Sequence, residues 1–90
     1  MRNDTEINST IEKIETRLAE KAINRYVNAP VKQGYQKAID VLKSKETDIT
    51  QAGLEKLKSI QSRAIVALAI DYLIGDTTEV ILLNVPLKNK

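Results

Sequence analysis

Apolar residues fall at Ile7, Ile11, Ile14, Leu18, Ala22 and Tyr26, with gaps of 4, 3, 4, 4 and 4. That spacing lines one face of an α-helix and cannot line one face of a strand, whose side chains repeat every second residue. Between them stand Glu12, Lys13, Glu15, Arg17, Glu20, Lys21 and Arg25, a charge-balanced outer surface. Asn3, three residues before Glu6, supplies an N-cap with a reciprocal capping glutamate. The pattern predicts a first helix over about residues 4 to 27.

Asn28-Ala29 then meets Pro30, which cannot extend the helix before it but suits the first turn of a new one. From Pro30 to about Ser44 the apolar positions are Val31, Tyr35, Ala38, Ile39 and Leu42, again at helical spacing. Gly34 is a weak point in that helix, costing about 1 kcal/mol relative to Ala. Residues 43 to 47 are polar, and Asp48 with Gln51 has capping-box spacing for a third helix expected over about 49 to 74. Gly75 ends it, as glycine commonly does just past the last periodic residue.

Asp76 and Glu79 repeat the capping spacing, while Val80-Ile81-Leu82-Leu83 reads equally well as a short helix or a buried strand. A lone strand would leave its backbone groups without partners, so a helix is favoured within a monomer. Residues 87 to 90 are expected to form a flexible tail.

The third helix carries apolar residues on two sides. Projected at about 100° per residue, Leu54, Leu57, Ile60, Ala64 and Leu68 form one stripe, expected to face Ile7, Ile11, Ile14 and Leu18. Beyond Arg63 the opposite side is apolar too, with Val66, Ala69, Ile70 and Leu73. Either the segment Val80 to Leu83 folds back and covers this second face, or the face docks a partner. On the second reading the partner-binding residues are Val66, Ile70, Leu73, Val80, Ile81 and Leu83. Asp71 projects near Leu68 and Ala64, on the stripe expected to be buried. It is either a carboxylate with a raised pKa in an apolar cleft, or a charge turned to water or paired with Arg25, Arg63 or a tyrosine.

Composition narrows the function classes. Ninety residues make one domain that buries about 64% of its unfolded surface. Of its 38 apolar residues 34 are Ile, Leu, Val or Ala, so the core is aliphatic. There is no Cys and no His, which removes thiolate nucleophiles, the usual imidazole base and the common metal ligands. No phosphate-binding loop, nucleophile elbow or metal-ligand spacing occurs, so the chain is read as non-enzymatic, with no cofactor and no metal. The net charge of +2 names no partner. Lys32, Lys37, Lys43 and Lys45 are the residues a nucleic-acid-binding function would use. The longest apolar run, Ala64 to Ile70, is far short of the ~20 residues of a membrane span, and with no signal pattern at the N-terminus a cytoplasmic protein is expected.

The expected architecture is therefore all-α: a small antiparallel helical bundle of two long helices and one short helix, over residues 1 to 90, with a short apolar C-terminal segment, helix or strand. The expected function is a non-catalytic protein-interaction or regulatory module acting through an apolar helix face, with another protein or a second copy as partner and a homo-oligomer as the natural product. Two alternatives stand beside it. One is a nucleic-acid-associated regulator. The other is a small immunity, antitoxin or inhibitor-type helical protein of a bacterium, phage or plasmid, an origin hinted at by eleven Ile, ten Lys and six Asn, whose codons are AT-rich.

Overall fold

The computed structural model describes residues 1–19, 29–49, 51–57 and 59–83, and among them every regular element is helical. In chain order these are α1 (Asp4–Ala19), α2 (Ala29–Ser44), α3 (Gln51–Glu55), α4 (Ile60–Ile74) and α5 (Glu79–Leu83). The all-α bundle is as expected, and the C-terminal apolar segment is a helix. The expected extension of the first helix over 20–27 and the tail at 87–90 lie outside the described residues. None of the described helices is long and apolar enough to cross a membrane.

The helix ends follow local chemistry. Asn3 Oδ1 accepts from the Glu6 backbone N–H at 2.8 Å, closing the first turn of α1. Glu6 does not reach back to complete the capping box; its carboxylate takes the Arg2 guanidinium instead, at 3.3 Å. Gly75 sits at φ 103°, and its N–H reaches the carbonyls of Asp71 and Tyr72, the left-handed C-terminal stop that glycine adopts without strain. At α5 the cap is Thr78 instead of Asp76, its hydroxyl accepting from Ile81 N–H at 3.4 Å.

The third helix departs from the expected single rod. It breaks between Glu55 and Ile60, and Ser59 caps a new helix with extended backbone, accepting from Ser62 N–H at 3.0 Å. Arg63 ties the break together by donating to the Leu57 carbonyl at 3.1 Å.

Packing also differs from the expected pairing of the two outer helices. α2, read from the sequence as a short connector, is as long as the described part of α1 and is the central element, packed chiefly on α4 and also on α1. It buries Val31, Tyr35, Ala38, Ile39, Val41 and Leu42, and no single stripe would need both Val41 and Leu42. From α1 come Ile7, Ile11 and Ile14, from α5 Leu82. At the crossing of α2 and α4, a Cβ on Gly34 would stand 2.8 Å from Ser62 Cα, so Gly34 is where the two backbones meet.

The stripe expected to face α1 is largely outside. Ile60 is 79% exposed, Ala64 is exposed, and Leu54 and Leu68 are only half-buried, leaving Leu57 as its one buried member. The inward side of α4 is Ser62, Ile65, Val66, Ala69, Tyr72 and Leu73. The choice has a physical cause: the outer side carries Asp71, whose burial without a partner would be costly, whereas the polar atoms of Ser62 and Tyr72 find partners within the bundle.

Candidate functional site

α4 is apolar on both sides, and only one side is covered. The inner side is enclosed by this chain's own helices, with Val66 and Leu73 fully buried. The outer side presents Ile60, Ala64, Ala67, Asp71 and Ile74, all exposed, with Ile70 and Leu68 half-buried at its margins. Those five positions are separated by 4, 3, 4 and 3 residues, the seam spacing of helix-on-helix docking.

The sequence-derived partner residues therefore divide. Val66 and Leu73 are core, because the inner side of α4 meets α2. Ile70 and Leu83 are half-buried, and Val80 and Ile81 are 60% and 51% exposed. Sequence reasoning missed Ile60 and Ile74 as outward residues. The signal that could have found them is Asp71, which shares their side: a charge flanked by Ala64 and Leu68 marks the solvent face when no partner is buried with it.

Among the described residues the exposed large apolar side chains concentrate at one end of the bundle. Of the five large ones among the described residues, Met1, Ile60, Ile74, Val80 and Ile81, all but Ile60 belong to segments joined at the C-terminal end of α4. Arg2 makes the join. Its N–H donates to the Leu73 carbonyl at 2.9 Å, its Nε to the Tyr72 carbonyl at 2.7 Å and its Nη2 to the Thr77 carbonyl. The guanidinium also lies over the Tyr72 ring, 4.1 Å from its centroid, a cation–π contact.

Beside this clasp runs a polar network that holds α5 in place. Tyr72 hydroxyl donates to the Glu6 carbonyl at 3.1 Å. The buried Thr10 hydroxyl lies between the Tyr72 oxygen at 2.6 Å and the Glu79 carboxylate at 2.9 Å. Lys13 Nζ donates to the other Glu79 oxygen. The Glu79 carboxyl is held below the ordinary carboxylate range by the Lys13 hydrogen bond first and the Thr10 hydrogen bond second, with the charges of Lys13 and Arg2 adding to them against a smaller opposing effect of burial. Tyr35 adds a long hydrogen bond to the Leu82 carbonyl, 3.4 Å. Leu82 is thereby seated in the core while Val80 and Ile81 point outward.

The basic segment is largely answered by acids. Lys43 lies 3.9 Å from Glu15, and Lys45 pairs with Asp4 at the start of α1. Lys32 and Lys37 are half-buried on α2. Lys37 borders an open groove of about 540 Å³ whose rim also carries Asp40, Glu46 and Asp48, so a phosphate backbone would meet carboxylates there as well as ammonium groups. Asp71 is exposed, with no ion-pair partner among the described residues. Among those residues no cluster of three or more acidic, Cys or His side chains is placed to hold a metal ion. Comparison with known proteins finds no family model, no curated protein and no solved structure that matches this chain.

Proposed function

We propose that this chain is a non-catalytic protein-interaction module that self-associates through the outer side of α4 and the exposed residues of α5. One observation supports the reading above the others: α4 has spent its inner apolar side on the core and still presents Ile60, Ala64, Ala67 and Ile74 to solvent. Fully burying an exposed isoleucine is worth about 1.5–3 kcal/mol, most of which is open to Ile60 at 79% exposure and about half to Ile74 at 48%. Large contiguous apolar patches on a soluble domain usually mark a contact. Ala64 and Ala67 add a second advantage, since small residues let a docking helix approach closely.

The test is light scattering of the wild-type protein from about 10 µM to about 1 mM, the span in which a small interface saturates. The weight-average mass is expected to rise above the 10.1 kDa of one chain. The Ile74→Lys variant, whose cation suits the C-terminal end of a helix, is expected to keep its helical circular dichroism and stay at the monomer mass. A wild-type protein that remains monomeric throughout, or a variant that associates as well as the wild type, overturns the reading.

A further inference from the structure

Resting on the reading of the outer side of α4 as the docking face, we infer that its partner is a second copy of the same helix, packed antiparallel across a two-fold axis at Ala67. Two charges of α4 have no ionic partner among the described residues. Asp71 is exposed and has no ion-pair partner among the described residues. Arg63 has no carboxylate partner among the described residues either; its Nη2 donates to the Leu57 carbonyl, and its Nε is buried without a hydrogen-bond partner. Eight residues separate the two, about 12 Å along the axis, so they cannot pair within one chain.

Ala67 lies midway between them, four residues from each. It also lies midway between Ile60 and Ile74, seven residues from each, and these are the two large apolar side chains that α4 leaves exposed. A two-fold axis at Ala67 exchanges the ends of the helix. It therefore sets Ile60 of one copy beside Ile74 of the other and brings Arg63 of one toward Asp71 of the other, each contact occurring twice. Such self-complementarity is what a closed dimer requires, since residue i must meet j while j meets i. At the axis Ala67 faces its own copy with Ala64 on either side, so the helices can approach at the near end of the ~8–10 Å interaxial range. A parallel arrangement would set Asp71 beside Asp71 and leave both charges unanswered. The helix offers only about 21 Å of length, and a single helix pair falls below the ~1,200 Å² of stable complexes, so the dimer is weak and reversible.

The chain has no cysteine, so one introduced thiol reports the register without background. Under mild oxidation Ala67→Cys is expected to form a disulfide dimer about tenfold faster than Ala64→Cys, because only the residue on the axis brings its Cα within the ~4.4–6.8 Å a disulfide needs; two copies of position 64 stand about 9 Å apart along the helices. Asp71→Arg, at an exposed site, is expected to keep its helical circular dichroism and weaken association about tenfold by facing Arg63 of the second copy with a like charge. If the wild type associates but Ala67→Cys cross-links no faster than Ala64→Cys, or Asp71→Arg associates undiminished, the register is wrong and the docking face stands. If the wild type does not associate at any concentration, both fall together.

Discussion

Gly34 of α2 and Ser62 of α4 approach so closely that a methyl group on Gly34 would lie 2.8 Å from the Ser62 Cα and 3.0 Å from Ile65 Cδ1. That contact acts together with the charge of Asp71 on the opposite side to set which side of α4 faces inward. With Ser62 against Gly34, the helical repeat carries Ile65, Val66, Ala69, Tyr72 and Leu73 into the core and turns Ile60, Ala64, Ala67, Asp71 and Ile74 outward. The surface proposed for docking thus depends in part on a glycine of another helix.

Gly34→Ala is expected to lower stability even though Ala favours an isolated helix by about 1 kcal/mol. A backbone atom cannot swing aside as a flexible side chain can, so the helices must separate, at about 1–3 kcal/mol for overpacking of this kind. Thermal unfolding followed by circular dichroism checks this. A raised midpoint would mean that α2 and α4 do not approach as described.

Glu79 links stability to pH. Its carboxyl is held below the 4.5 of an unperturbed group, so the folded state binds its proton more weakly than the unfolded chain does. The stabilisation is present in full above the unfolded-state value and is lost as pH falls through the depressed folded-state value. In urea melts the wild type is expected to exceed Glu79→Gln at pH 7, with the gap closing as the pH drops below about 4. A gap that is independent of pH would show that the folded state holds the ionised Glu79 carboxylate no better than the neutral acid.

Ser59 is the residue that makes α4 a separate helix. Removing its side chain in Ser59→Ala takes away the acceptor for Ser62 N–H and the neighbour of the buried Ser62 hydroxyl at 3.0 Å; a lost N-cap costs about 1 kcal/mol. Ser59→Asp should restore most of that, since aspartate caps as well and suits the positive end of the helix. Equal stabilities for wild type, Ser59→Ala and Ser59→Asp in chemical denaturation would contradict the cap.

Much of this fold was legible because its signals are local. Asn3 announces the start of α1, Gly75 the end of α4, and the apolar spacing of both α1 and α2 is helical. The break before Ser59 was not legible: no Gly or Pro marks it, and the run Leu54, Leu57, Ile60 continues the periodicity straight across. The inward side of α4 was hidden for a related reason. With apolar residues all round, its periodicity cannot choose a face, and the choice depends on contacts distant in sequence, Gly34 against Ser62 and Thr10 against Tyr72. Gly34 itself reads in the sequence as a weakness in a helix, and only the crossing gives it a purpose. Of the exposed apolar residues of α4 and α5, Val80 and Ile81 were within reach of the pattern, while Ile60 was assigned to the inner side and Ile74 was passed over.

The two apolar sides of α4 are proposed to play different roles, core and docking surface, and one aspartate placed on each separates them. Val66→Asp and Ile60→Asp would be examined side by side by circular dichroism and sedimentation velocity. Ile60 opens the helix, where an acidic side chain is tolerated, so Ile60→Asp is expected to keep the helical spectrum and lose self-association. Val66→Asp buries an unpaired carboxylate and is expected to lose the helical spectrum itself. A folded Val66→Asp protein, or an Ile60→Asp protein that sediments like the wild type, would overturn that assignment of the two sides.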